Sequence, residues 1–255
     1  MNVDTATAES LASFAADGFV ALRQFVGGED VAALRANVDR FITDVVPQMP
    51  PEQIFYEHKN DPATLKQIQQ MSLHDAWFHE SLTASRFRKI AEVLLEGSVV
   101  PKNLQYFNKS PGVGQPTPAH QDGCFFMLDP CEAVGLWLAL DDVDEENGCV
   151  RYVRGSHKRA LREHSRTQTL GFSQGIIDYP TEDDREHEVA LHAEPGDLLV
   201  HHAMTIHRAD GNRSATRSRR ALGFIYYSKR AREDTAAHVA YQRKLAEEMK
   251  AAGRI

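Results

Sequence analysis

The chain has 255 residues, 42% hydrophobic and 25% charged, with a formal net charge of −7 and a pI near 5.9. That length suits one β-rich barrel or sandwich with helical additions, and the composition excludes a disordered or fibrous chain. The acidic balance speaks against a nucleic-acid or anionic-membrane partner, because either needs a basic face to meet phosphates.

The N-terminal stretch MNVDTATAES has neither a basic region nor an apolar core of the kind a secretory leader carries. Ala8 to Ala16 reads as a short amphipathic helix stopped at Gly18, and Phe19 to Phe25 as a brief apolar stretch. From Val31 the apolar positions Leu34, Val38, Phe41, Ile42 and Val45 recur every three or four residues until Pro47, which predicts a helix. Pro62–Met71 and Phe87–Leu95 read as further helices, so residues 1–98 are expected to be mainly helical.

Beyond Val99 the pattern becomes short β-type runs broken by Gly, Pro and Asp. They are Leu104–Phe107, Cys124–Leu128, Val134–Leu140, Cys149–Val153, Val189–Ala193, Leu198–His202 and Leu222–Tyr227. Such spacing predicts a closed or sandwiched antiparallel fold over residues 99–230. The tail from Asp234 to Ala252 reads as a helix within residues 231–255, and neither repeat nor linker marks a domain boundary, so one domain is expected. Cys124, Cys131 and Cys149 are odd in number and lack CxxC spacing. No apolar run reaches the roughly 18 residues of a membrane span, so a cytoplasmic protein with buried thiols is expected.

The chemistry concentrates in a few residues. His120-Gln121-Asp122 places two metal-ligating side chains at i and i+2, which project to one side of an extended strand. With 12 His and 18 Asp in the chain, about one His-x-Asp is expected by chance, so the pair alone decides nothing. His192-Ala193-Glu194 is discounted, because Glu194 runs into the turn Pro195-Gly196-Asp197. His201 and His202 point to opposite faces of one strand, so at most one approaches a metal, and core or surface roles are expected for both. His157 and Asn147-Gly148 read as turn chemistry. The acidic run from Asp141 to Glu146 reads as a solvated connection, since it lacks the ligand alternation of a calcium loop. The arginine cluster Arg213, Arg217, Arg219 and Arg220 has no aromatic platform of RNA-binding spacing.

An ordered series carries more weight: Pro118-Ala-His-Gln-Asp122, Leu136-Trp-Leu-Ala-Leu-Asp-Asp142, Glu146-Asn-Gly-Cys149, Gly155-Ser-His157, Pro195-Gly-Asp197, His207, Asn212 and Arg219-Arg-Ala-Leu222. In this order over residues 118–222, with a weaker match at Asp17-Gly-Phe19, the sequence resembles the phytanoyl-CoA dioxygenase family of iron(II)/2-oxoglutarate oxygenases. The resemblance implies a double-stranded β-helix of the jelly-roll, cupin-like kind, mainly β with N-terminal helices and a C-terminal helix. It implies iron(II) on His120, Asp122 and His207, with 2-oxoglutarate and O2 as cosubstrates. Two imidazoles and one carboxylate on one face of an octahedral ion leave three positions open.

The implied reaction hydroxylates an unactivated carbon of a small organic molecule and releases succinate and CO2. Halogenating relatives lack the carboxylate, so Asp122 points to hydroxylation. Arg219 is expected to take the far carboxylate of 2-oxoglutarate through its planar fork. Two departures stand in the pattern: Arg154 replaces the usual proline before Gly-Ser-His, and the interval from His207 to Arg219 is one residue longer, which keeps Arg217 as the alternative. The resemblance also places Trp137, Gln105 and Lys66 near the cosubstrate. Substrate contacts are expected from Pro47–Asp61 and from Lys158–Asp184, a loop long enough to be a lid, with Phe172, Gln174 and Tyr179. Two other readings share the barrel: a cupin-like isomerase or hydrolase with another metal and no 2-oxoglutarate, and a non-catalytic metal- or ligand-binding barrel. The sequence is silent on oligomeric state.

Overall fold

The structure, a computed structural model, describes residues 7–167, 169 and 171–252. Helix α1 (Ala8–Asp17) begins where the Thr7 hydroxyl accepts from the Ser10 amide, and ends at Gly18, whose φ of +84° turns the chain into β1 (Phe19–Leu22). α2 (Gly28–Arg40) buries Val31, Leu34 and Val38, and a π turn, Phe41–Val45, and a 3-10 turn, Val46–Gln48, carry it past Pro47, the expected stop, to Met49. Then come β2 (Ile54–Tyr56), β3 (Leu65–Ile68), α3 (Met71–His74), α4 (Ala76–Thr83) and α5 (Arg86–Leu94). The helix expected over Pro62–Met71 is instead a 3-10 turn at Pro62–Thr64 followed by β3. Pairing with a long neighbouring strand, Gln67 opposite Phe107, outweighs local helical preference here.

The remaining elements are β4 (Val99–Lys109), β5 (Thr117–His120), α6 (Gly123–Phe126), β6 (Leu128–Asp129), β7 (Ala133–Ala139), β8 (Val150–Val153), β9 (His164–Arg166), β10 (Gln174–Ile176), α7 (Glu182–His187), β11 (Glu188–Leu191), β12 (Leu198–His202), β13 (His207–Ala209), β14 (Arg219–Ser228), β15 (Arg232–Glu233) and α8 (Thr235–Ala251). The strand expected at Cys124–Leu128 is also corrected. The amides of Phe125 and Phe126 both turn back to the Asp122 carbonyl, so the apolar run closes into the single turn of α6.

A seven-stranded sheet runs β1-β12-β7-β14-β4-β3-β2, and a four-stranded sheet runs β11-β8-β13-β5. All the pairings within them are antiparallel. These are the two layers of a jelly-roll core with flanking helices.

Alternation along each strand divides the molecule into two sides. On β14 the residues Leu222, Phe224 and Tyr226 pack outward with Leu136 and Leu138 of β7 against the helices, where Phe87 stacks on Phe224 at 4.1 Å. The intervening Arg219, Gly223, Ile225 and Tyr227 face the space between the sheets. The inner faces meet in a second apolar cluster that joins Phe19, Trp137 and Leu199 of the large sheet to Val150 and Tyr152 of the small one.

The short motifs of the sequence are the turns that hold these layers. Asp197 accepts from the Gln24 amide at 2.8 Å and from Arg23 at 2.7 Å, tying β1 to the start of β12. Asn147 is buried, accepts from the Asp144 amide and donates to the Asp142 carbonyl. Ser156 donates to the Val153 carbonyl and accepts from the Ile206 amide, directly before His207. Asn212 spans the Lys109 and Arg217 carbonyls with its amide, which sets the start of β14. A fully satisfied buried polar group of this kind fixes one loop geometry.

Candidate metal centre and cosubstrate cavity

His120 closes β5 and His207 opens β13, and the two are partners across that ladder. Asp122 is not on the same extended strand as His120. It has φ −56° and ψ −31° and starts α6, and its neighbour Gln121 pins the bend by donating to the Met204 carbonyl and accepting from the Arg162 amide. The bend still brings the carboxylate back to the imidazoles: Asp122 Oδ1 is 3.5 Å from His120 Nε2 and 3.8 Å from His207 Nε2. One donor atom from each of the three side chains lies within 4.8 Å of the others.

The ring orientations follow from hydrogen bonding. His120 Nδ1 is 2.8 Å from the Pro118 carbonyl, and His207 Nδ1 is 3.0 Å from the Thr205 carbonyl. A carbonyl only accepts, so each Nδ1 carries the hydrogen and each Nε2 keeps its lone pair toward the centre, as metal-binding imidazoles are usually arranged. Burial, reinforced by His120 and His201, holds His207 well below the usual histidine range, so it stays neutral. Burial alone would raise Asp122, but the imidazoles around it, His207 foremost and then His120 and His201, outweigh it and hold the carboxyl well below its usual range. Two neutral nitrogen donors and one anionic oxygen suit a divalent first-row ion such as iron(II).

Beside this cluster a cavity of about 600 Å³ opens between the sheets. Its inner end holds Arg219, which is buried, with an Nε that no atom of the described residues accepts from. The guanidinium lies 5.3 Å from the Trp137 ring centroid, and burial lowers its pKa to about 10. A buried cation with an orphaned donor fits an incoming carboxylate, which is what the far end of 2-oxoglutarate supplies. Arg217, the alternative, lies outside the cavity and is tied to Asp144 at 2.8 Å and Glu146 at 2.5 Å.

Gln105 lines the cavity opposite Gly223, and its Oε1 accepts from Gln67 at 3.0 Å. Lys66 also lines it, on β3 and buried; burial lowers its pKa, while the Glu57 partner at 3.3 Å acts in the opposite direction. Of the loop residues expected to meet substrate, Phe172 reaches the cavity, 5.4 Å between ring centroids from His120. Tyr179 does not, and its hydroxyl is engaged by Glu188; Gln174 pairs within the β9–β10 hairpin. The three cysteines are unpaired, with Cys149 buried and Cys124 and Cys131 half-buried.

Two further residues stand at the centre, one unmarked in the sequence and one expected elsewhere. Lys109 is buried opposite Arg219 in the β14–β4 ladder, its ammonium donating to Thr117 and the Gln115 carbonyl. His201, expected in the core or at the surface, is buried with Nε2 3.1 Å from Asp122 Oδ2.

Comparison with known proteins decides the family, since residues 14–221 match the model for phytanoyl-CoA dioxygenase. The chain belongs to the phytanoyl-CoA dioxygenase family. It is an iron(II)- and 2-oxoglutarate-dependent oxygenase. A family relative, phytanoyl-CoA dioxygenase 1 of Oryza sativa subsp. japonica, is 29% identical over 249 residues, covering 85% of this chain and 87% of its own. EvdO2 from Micromonospora carbonacea var. aurantiaca, solved with 2-oxoglutarate, superposes with a TM-score of 0.72 at 25% identity, over 92% of this chain and 95% of that one. The non-heme alpha ketoglutarate dependent carbocyclase SnoK from nogalamycin biosynthesis shares the fold, with a TM-score of 0.73 at 23% identity over 94% and 92%. Among the described residues no helix is long and apolar enough to cross a membrane.

Proposed function

We propose that this phytanoyl-CoA dioxygenase family member hydroxylates an unactivated carbon of a small organic molecule. The observation that carries the reading is the convergence of three donor atoms, two imidazole and one carboxylate, beside a cavity lined by a buried arginine whose Nε has no acceptor among the described residues. His120, Asp122 and His207 would hold iron(II), and Arg219 would take the far carboxylate of 2-oxoglutarate. Held by these residues, iron(II) would supply the activation of O2 against the 2-oxo acid, with one oxygen atom going to succinate as CO2 is lost and the other to the substrate carbon as a hydroxyl.

The chain's own part is placement. Trp137 stands against the Arg219 guanidinium, a cation–π contact that restrains it. Gln67 occupies the Gln105 carbonyl oxygen, leaving the Gln105 NH2 group to donate to the cosubstrate. Lys66 adds positive charge to the same wall, tempered by Glu57. On the outer side of the metal centre, Phe125, Phe172 and Ile225 give an apolar wall, and Gln53, Gln70 and Asn103 a polar one. That mixture suits a substrate with a carbon skeleton and a few hydrogen-bonding groups. Phe172 and, from α8, Tyr241, Leu245 and Met249 also line the cavity and would help keep bulk water from the reacting carbon. The free thiols fit a reducing compartment, and the cytoplasm is the proposed location.

The test is a substrate screen with iron(II), 2-oxoglutarate and O2, read as succinate released above the substrate-free background and as product mass. A gain of one oxygen atom supports hydroxylation. Succinate release with substrate consumed but no oxygen gained would replace hydroxylation by another oxidation, and no succinate with any substrate would remove the reading.

A further inference from the structure

Asp122 has one more carboxylate oxygen than its proposed metal role uses. Oδ1 is the oxygen that faces His120 and His207, whereas Oδ2 lies 3.1 Å from His201 Nε2. A carboxylate only accepts, so His201 Nε2 carries the hydrogen and its Nδ1 is an acceptor. That Nδ1 is 3.2 Å from the hydroxyl of Tyr152, a fully buried ring stacked on Phe19 at 4.8 Å. Tyr152, His201 and Asp122 therefore form a directed chain of donors running from β8 through β12 to α6.

The opposite wall of this contact is Gly135, the β7 partner of His201. A Cβ there would stand 2.6 Å from His201 Nε2 and 3.2 Å from Asp122 Oδ2, so only a glycine leaves the imidazole and the carboxylate room to meet. Two independent features, a buried donor chain and a missing side chain on a central strand, thus serve the same carboxylate oxygen.

We propose that His201 is a positioning residue that holds Asp122 Oδ2, so that the carboxylate offers the metal Oδ1 alone. The proposal rests on the reading that His120, Asp122 and His207 hold iron. A carboxylate free to turn could bind through both oxygens and occupy one of the three positions that 2-oxoglutarate and O2 need. His201 prevents this and is itself no fourth ligand. Its Nε2 hydrogen is spent on Asp122, and the described residues with donor atoms within 4.8 Å of one another are His120, Asp122 and His207 without it.

The experiment is an anaerobic calorimetric titration of the full chain with iron(II), alongside the melting temperature of the metal-free protein. His201→Phe is expected to weaken iron(II) binding about 10–100-fold, the usual effect of removing an outer partner of a ligand. His201→Gln, which keeps an N–H donor, should recover most of it. Tyr152→Phe and Gly135→Ala, which reach the same contact from outside, should each weaken binding and give a readout if His201→Phe does not fold. Wild-type affinity in His201→Phe, with Asp122→Ala abolishing binding, overturns the proposal and leaves the metal site standing. A loss in His201→Phe as complete as in Asp122→Ala, unrescued by glutamine, makes His201 a ligand and also overturns it. Unchanged binding in Asp122→Ala removes the metal-site reading itself.

Discussion

Arg219 and Lys109 face each other across the β14–β4 ladder, both buried, and among the described residues no carboxylate lies within 4 Å of either. Burial, with the charges of Arg219 and Lys66, drives the Lys109 ammonium well below its usual range. An anion entering beside this pair would offset the burial and restore the ammonium's charge, and 2-oxoglutarate is a dianion. Arg219→Ala is therefore expected to raise the KM for 2-oxoglutarate by roughly a hundredfold or more, the effect of removing one partner from a buried charge pair. Arg219→Lys should recover only part, because an ammonium lacks the planar fork. Arg217→Ala should leave that KM within about twofold, since surface ion pairs contribute little. Steady-state succinate assays check all three.

The metal site gives a sharper loss. His120→Ala and His207→Ala each remove one of the two nitrogen donors of the cluster, each held in place by its Nδ1–carbonyl bond. Turnover should fall to the metal-free background while the far-UV circular dichroism spectrum stays that of the wild type. Chelator treatment of the wild type should give the same loss, and iron(II) should restore it.

Stability should depend on pH through the buried histidines. Burial lowers His202 to about 4, with the His157 and His201 charges acting the same way. Below about 6.5 the unfolded chain binds a proton that the folded chain refuses, so stability falls as pH drops from about 6.5 to about 4. His157, His164 and His207 are also lowered, chiefly by burial, and add to the slope in the same direction. His202→Gln should flatten part of that slope. Denaturant midpoints measured between pH 4 and 7 give the comparison.

The outer face of the large sheet carries the packing. Phe224 is fully buried and stacked on Phe87 of α5. Phe224→Ala should reduce unfolding free energy by about 3–5 kcal/mol through lost burial and a residual cavity, without moving the three donor atoms. Urea titration measures the stability, and the iron(II) affinity of the folded fraction shows whether the site is spared.

What the sequence reveals and conceals divides along physical lines. His120, Asp122 and His207 are legible because the turns around them, built on Asn147, Ser156, Asp197 and Asn212, need particular residues to satisfy buried backbone groups, and so leave an ordered pattern. Long strands such as β12 and β14 are legible from their apolar runs. β3 and α6 are not, since one is a strand only through its pairing with β4 and the other is a turn closed on the Asp122 carbonyl. His201 is hidden for a related reason. Its partner, Asp122, lies 79 positions away, and strand alternation tells which face His201 takes but not what stands opposite. Lys109 looks like any polar strand end before a Ser-Pro turn. Only the register of β14 against β4 shows that it meets Arg219.

The most direct test is succinate formation from 2-oxoglutarate by the iron(II)-loaded chain under O2, with wild type and Asp122→Ala measured side by side. Succinate from the wild type and none from the variant is the expected result. No succinate from the wild type, or equal amounts from both, would contradict the placement of the iron on His120, Asp122 and His207.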